Sequence, residues 1–395
     1  MSEEPYEASE MPGTGSELPA EIQEHQREVR DYFRESETKG FTRGQIVKRI
    51  GVAGLAVGPF AAVLARTASG ATPEQTVADA KAAAAETAAD VRSGKTLSMF
   101  ASNGGLAATW WAQGYHQQKF YTGILGIKYQ YADGSFSPPK QRAAIENAAS
   151  KKWDFAHFDL FAPGTCDAPI KQMIKNGTIV FEGPGQVTRP GVEIGVTSWM
   201  HQDNYQMGNA VGLALFEAAG GKKGSGNVII TKGPSTAVQV PVRAQGFKDA
   251  MKAYPGFKLV AEDYGNWDPN RTSQLWGAYA TRYPNIAVGY FQNDDMAFAG
   301  LKVLSGAGRA GKTKIGGCDA MPPACLAVKS GKFVATYRHS SERVHVSPVF
   351  IGRAMKMGLL TIKQVPRDLK LDGPLVTKAN ADSINFLEQD NLYLI

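Results

Sequence analysis

Asn227-Val228-Ile229-Ile230-Thr231, Lys258-Leu259-Val260-Ala261-Glu262-Asp263, Ile286-Ala287-Val288-Gly289-Tyr290-Phe291-Gln292 and Lys314-Ile315-Gly316-Gly317-Cys318 are four short runs rich in apolar residues. Between them lie stretches of helical period, Pro241–Ala253, Asn270–Tyr283 and Asp295–Ser305. Parallel strands need a crossover about that long, so the alternation predicts βαβ units and a mainly parallel sheet. An upstream group repeats the pattern. Its strands read Thr96–Ala101, Lys128–Ala132, Phe155–Leu160 and Ile179–Glu182, with helices such as Lys140–Ser150 and Asp167–Lys175 between them. Each group is sized for one doubly wound sheet, which makes the chain an α/β protein of two similar lobes. Its 395 residues allow two domains, and 43% hydrophobic with 20% charged residues is ordinary globular composition.

In open α/β sheets, ligands bind beyond the carboxyl ends of the strands. At those positions the second group carries Arg243-x-x-Gly246-Phe247, Trp267-Asp268, Gln292-Asn293-Asp294, Gly317-Cys318-Asp319 and Ala335-Thr336, in that order. An arginine fork and a carboxylate grip hydroxyls through charge-assisted hydrogen bonds. An indole covers an apolar face such as the C–H side of a sugar. Asn293 offers both a donor and an acceptor, although an Asn or Asp here also caps a helix, a part open to Asp294. Asp319 follows two glycines, where backbone can approach a ligand closely. In the first group, Ser102-Asn103-Gly104-Gly105 precedes the pair Trp110-Trp111.

This ordered set resembles the sugar-binding periplasmic proteins of ABC importers, the ribose-binding type. The resemblance runs from about Lys95 to the C-terminus and is strongest from Gly226 to Thr336. It implies three crossings between the lobes, near Trp199–Asn204, Tyr337–Ser341 and Leu371–Leu375. Lobe one would then be 95–202 with 341–371, and lobe two 203–340 with 372–395. The ligand positions it implies are Arg243, Trp267, Asn293 and Asp319 on lobe two, and Asn103, Trp110 and Trp111 on lobe one. Where the family carries Asp-Arg after the fourth strand, this chain has Phe181-Glu182-Gly183-Pro184, so Glu182 is the matching acid and the arginine is absent. The family's glutamine at the second crossing is matched by His339. The implied solute is a monosaccharide or polyol, passed by a monomer to a membrane permease driven by an ATPase subunit, with no cofactor.

The N-terminal part reads as an address. Residues 1–40 are polar, Thr42-Arg43-Gly44-Gln45-Ile46-Val47-Lys48 precedes the uncharged run Ile50–Ala65, and Ser69-Gly70-Ala71 supplies a small-residue exit. That run is shorter than a span, and together these features predict an export signal in residues 1–71 and a periplasmic location. The start is similar to a twin-arginine signal, with Gly44 at the second arginine; general secretion stays open beside it. Residues 72–94 are Ala-rich and predict a spacer helix.

Residues 1–71 hold eleven Asp/Glu against eight Lys/Arg, so the remainder is near +9 where the whole chain is +6. Its lysines, among them Lys222, Lys232 and Lys258, are scattered, which argues for a solvated surface and against nucleic acid. The same core occurs in lactose-repressor-type regulators, but Leu55–Ala65, at the recognition-helix position, has no residue able to read a base edge. Six histidines include no HExxH, and no GxSxG elbow or phosphate loop is present, so no enzyme or metal site is expected. Sugar receptors for chemotaxis share the fold and remain an alternative to transport. Cys318 and Cys325, in an exported chain, can form a disulfide around Asp319; two buried thiols are the other outcome.

Overall fold

The computed structural model describes residues 96–387 apart from 163, 185–193, 359 and 372. The predicted export signal and spacer helix lie outside the described residues.

The first half alternates strand and helix as β1 (Ser98–Asn103), α1 (Thr109–Ile124), β2 (Lys128–Asp133), α2 (Pro138–Ala149), β3 (Phe155–Phe158), α3 (Asp167–Lys175), β4 (Ile179–Glu182) and β5 (Ser198–His201). The second continues with α4 (Asn204–Ala218), β6 (Gly226–Lys232), α5 (Gln239–Met251), β7 (Phe257–Tyr264), α6 (Pro269–Arg282), β8 (Ile286–Phe291), α7 (Asp294–Gly306), β9 (Lys314–Gly316) and α8 (Pro322–Lys329). After β10 (Thr336–Tyr337) come α9 (Ser341–Lys356), β11 (Asp368–Lys370), β12 (Leu375–Val376) and α10 (Ala381–Leu387).

Two sheets result. One has six strands in the order β11-β5-β4-β3-β1-β2, the other four in the order β7-β6-β8-β9, and all pairings within them are parallel. The first sheet is wound both ways from the gap between β1 and β3, the second from the gap between β6 and β8. Loops leave those gaps in opposite directions and open a crevice at each carboxyl edge.

The chain passes between the sheets at three places. It leaves β5 and enters α4, returns after β10 into α9, which packs on α1 and β3, and passes from β11 to β12. β10 and β12 pair antiparallel beside the second sheet, with Thr336 opposite Val376. β11 extends the first sheet, with Leu369 opposite Met200. Strands of two or three residues such as these carry too little pattern to show in a sequence, which is why that reading ended each group at four strands.

Glycine sets how closely the layers approach. On α4 and α5, Gly208 faces the backbone of Arg243 and Gly246 faces the backbone of Tyr205: an added Cβ would lie 2.0 and 2.1 Å from the two carbonyl oxygens. The helices therefore touch backbone to backbone, and this drives Arg243 inward from the first turns of α5. The apolar stripe behind them, Phe216, Phe247, Tyr254 and Phe257, forms a core with Tyr290 stacked on Phe247 at 4.5 Å.

Candidate functional site

The facing edges of the two sheets enclose a narrow cleft, with a cavity volume of about 40 Å³. It is lined by Ala108, Trp110, Trp111, Asp159 and Pro184 from the first sheet's side. Gln239, Arg243, Trp267, Asn293, Asp319 and His339 line it from the second sheet and the crossing. Seven of the nine residues expected from the sequence are thus brought together, and Asn103 and Glu182 are not.

Asn103 spends its amide locally: Nδ2 donates to the Trp111 carbonyl at 3.1 Å, and Oδ1 accepts from the Tyr131 hydroxyl at 2.6 Å. It positions Trp111. Glu182 stays in strand register with Phe158 and Trp199 and is fully buried; the chain reaches the cleft two residues later, at Pro184.

Four lining residues were missed, Ala108, Asp159, Pro184 and Gln239, two of them polar. Asp159 directly follows β3, at the first sheet's switch point; reading that strand through Leu160 buried it in an imagined strand. Gln239 is the first residue of α5, which a start at Pro241 excluded, although proline is tolerated anywhere in the first helical turn.

Two of the three tryptophans have a prepared seat. A Cβ on Gly104, just past β1, would lie 2.3 Å from the Trp111 indole, and one on Gly233, just past β6, 2.5 Å from that of Trp267. The two rings meet edge to face at 87°, with centroids 5.5 Å apart. Trp111 Nε1 donates to Asp159 Oδ2 at 2.5 Å, and Trp110 Nε1 to the His339 carbonyl at 2.6 Å. Trp267 (φ 56°) and Asp319 (φ 114°) both hold the left-handed backbone region, a strain of about 1–3 kcal/mol each that clusters at functional sites.

Arg243 lies in the fifth position of α5 and is 3% exposed. Its Nε donates to Asn204 Oδ1 at 2.8 Å and its Nη1 to the Gln292 carbonyl at 2.7 Å. Asn293, not Asp294, caps α7, accepting from the Met296 amide at 3.0 Å. Asp294 instead turns inward, where Thr336 Oγ1 (2.7 Å) and the Met321 amide (2.9 Å) donate to it. An asparagine can cap through its oxygen and still present its amide nitrogen to a solute.

Burial dominates the titration of this site. Asp319 is pushed well above the usual carboxylate range by burial and by nearby Asp294, with Arg243 opposing. His339 is pushed well below the usual imidazole range by burial and then by Arg243 and His345. A charged pair would move both groups the other way. The 3.3 Å approach of His339 Nδ1 to Asp319 Oδ1 is therefore that of a neutral imidazole, whose Nδ1 accepts from Arg243 Nη2 at 3.5 Å.

Behind it, burial lowers His345 to about 4, offset in part by its bond to the Ser341 carbonyl. A histidine unfolds to a value near 6.5, so between pH 6.5 and 4 the unfolded chain binds more protons than the folded one. Stability is then full above pH 6.5 and falls by about 3 kcal/mol as pH drops through 4. Thermal melts of the unliganded protein should show a flat midpoint above pH 7 and a decline below 6.5, with a shallower decline in His345→Gln; equal slopes would contradict this assignment.

Of the two outcomes open for Cys318 and Cys325, the structure has two buried thiols and no bridge between them. Cys318 Sγ lies 3.4 Å from the Tyr290 hydroxyl, whereas Cys325 Sγ, on α8, donates to the Ala320 carbonyl at 3.3 Å. The α8 turn aims the two sulfurs at different partners. Burial also pushes the Cys318 thiol up to about 12. Iodoacetamide should accordingly leave Cys318 unlabelled at pH 8 in the folded protein and label it after denaturation, as read by peptide mass spectrometry; rapid native labelling would contradict the burial.

Comparison with known proteins places these features. A model described as "Periplasmic binding protein domain" matches residues 100–343. A xylitol-binding protein of Mycolicibacterium smegmatis is 31% identical over 160 residues, covering 40% of this chain and 44% of that one. A D-ribose/D-allose-binding protein of Pseudomonas aeruginosa is 34% identical over 107 residues, covering 27% of this chain and 33% of that one. The chain thus spans less than half the length of these two relatives. The crystal structure of a galactofuranose binding protein superposes with a TM-score of 0.67 at 19% identity, covering 75% of this chain and all of that one. The match spans more than half of the sequence and takes in every residue lining the cleft, so the chain belongs to the periplasmic binding protein domain family.

Proposed function

We propose that the protein is the solute-binding component of an ABC-type importer, capturing a monosaccharide or polyol between its two sheets and delivering it to a permease–ATPase pair in the membrane. The observation that carries this reading is the cleft itself. Indoles seated on strand-end glycines face Arg243, Asn293 and Asp319, which combine donors and acceptors on one edge. Hydroxyls need both, and C–H faces need the rings. The relatives' names point the same way, since they bind xylitol, ribose and allose.

In this reading the lobes are 95–202 with 341–371 and 203–340 with 372–395, and the three crossings act as the hinge. Delivery takes place in the periplasm by a monomer, with no chemistry on the chain and no cofactor. Thermal-shift screening of pentoses, hexoses and polyols tests the reading, because saturating solute stabilises the form that binds it by mass action. A shift with one such compound is expected; no shift across the panel would contradict it.

The two sides of the cleft touch at its rim. Ala108, the residue before α1, has no side chain able to cap that helix. The cap comes from across the cleft, where the Asp295 carboxylate accepts from the Thr109 amide (3.0 Å) and hydroxyl (2.7 Å). A helix cap contributes about 0.5–2 kcal/mol, and here it forms only when the lobes meet. Asp295→Ala should weaken solute binding about threefold to tenfold and shift X-ray scattering of the liganded protein towards a larger radius of gyration. Unchanged affinity and radius would show that the contact does not bias closure.

A further inference from the structure

The polar groups of the cleft are unevenly spent. On the first sheet's side, the donors among the described lining residues and Asn103 are already committed: Trp110 Nε1 to the His339 carbonyl, Trp111 Nε1 to Asp159 Oδ2, and Asn103 Nδ2 to the Trp111 carbonyl, while Asn103 Oδ1 accepts from the Tyr131 hydroxyl. The acid there, Asp159, has one oxygen held by Trp111. What this face offers is indole carbon with Ala108 and Pro184 beside it. The opposite face is the reverse. Gln239 and His339 are 6% and 4% exposed, and Gln239 Oε1 and His339 Nε2 have no hydrogen-bond partner. Asn293 has given its oxygen to a cap, which leaves its amide nitrogen, and Asp319 adds a carboxylate.

Buried groups without partners are costly unless a ligand meets them, so the second face awaits hydroxyls. A hydroxyl turned to the indole carbons and Ala108, away from Asp159, would lose its water and gain no partner among the described residues. Resting on the reading of the cleft as a sugar or polyol site, we infer that the preferred solute is amphipathic: a deoxygenated sugar or polyol, with hydroxyls along one edge and a methyl or bare methylene group where it meets Trp110, Trp111 and Ala108. Leaving one hydroxyl unpaired in a buried site costs about 1–3 kcal/mol, and 1.4 kcal/mol is a factor of ten. Deletion of the misplaced hydroxyl should therefore tighten binding by about tenfold or more.

Matched pairs test this in the wild-type full-length chain by isothermal titration calorimetry: D-galactose against 6-deoxy-D-galactose, L-mannose against 6-deoxy-L-mannose, and D-ribose against 5-deoxy-D-ribose. Tighter binding of the deoxy member in the pairs that bind, by about tenfold in the best of them, is the expected result. Equal or tighter binding of the parent sugars would overturn the inference and leave the sugar-binding reading standing. Binding by no member of any pair would overturn the inference, and the thermal-shift panel with its polyols then decides the sugar or polyol reading. As a second measurement, Trp111→Gln, which offers an amide to that face, should narrow the deoxy preference, whereas Asp319→Ala should weaken both members of a pair alike. A preference unmoved by Trp111→Gln would show that the first face does not set it.

Discussion

Arg243→Ala is expected to weaken solute binding by up to about a hundredfold and to lower the stability of the unliganded protein as well. The guanidinium is buried and holds Asn204 Oδ1 and the Gln292 carbonyl, the latter one residue before Asn293. Hydrogen bonds to charged groups contribute about 1.5–3 kcal/mol each; these two lie within the protein and count towards binding only by holding Asn293 in place, so converted at 1.4 kcal/mol per decade they set about a hundredfold as the largest loss of affinity. A further effect follows at Asp319, whose carboxyl Arg243 holds down against burial; without the arginine it shifts further towards its neutral form and accepts more weakly. An arginine facing an open, wet cleft would have changed binding alone. Its actual burial ties binding to folding. Arg243→Lys should not restore affinity, because a single ammonium cannot reproduce the two-armed fork. Calorimetry and denaturant unfolding check the two halves separately, and native affinity in Arg243→Ala would remove the arginine from the site.

The second large effect is steric. Gly208→Val should destabilise the protein by about 3 kcal/mol or more, since overpacking of tight cores costs about 1–3 kcal/mol even where side chains can yield. Here they cannot. The new Cβ would sit 2.0 Å from the Arg243 carbonyl oxygen, which belongs to backbone, so α4 and α5 must part and carry Arg243 out of the cleft. Binding should fall with stability. Gly277→Ala is the control. It lies in α6 with nothing within 4 Å of an added Cβ, and should raise stability by about 0.5–1 kcal/mol through helix propensity. Denaturant unfolding of the two variants decides. If Gly208→Val were as stable as the parent, the close approach of the helices would not exist in solution.

The fold was legible because its evidence is repetitive. Buried parallel strands such as Val228–Ile230 and Val288–Phe291 must be apolar on both faces, and the helices between them are long enough to show their period. The same logic exposed the strand-end residues Trp267, Asn293 and Asp319. Failures came where one residue of register mattered. Asp159 and Gln239 fell inside elements drawn too long or too short, and Asn103 and Glu182 were carried onto the site by position along the chain. Whether a side chain at a strand end turns to the cleft or back into its own sheet depends on what it meets, such as Tyr131 for Asn103. The thiols illustrate the same limit: seven positions on, Cys325 lies on α8, and the direction of that helix decides what its sulfur faces.

A crystal structure of the protein with the sugar or polyol that gives the largest thermal shift tests the central claim most directly. The account predicts the solute between Trp111 and Asp319, its hydroxyls within hydrogen-bond distance of Asn293, Asp319 and His339 Nε2 and its carbon face on the indoles. An empty cleft, with the solute bound elsewhere on the molecule, would contradict it.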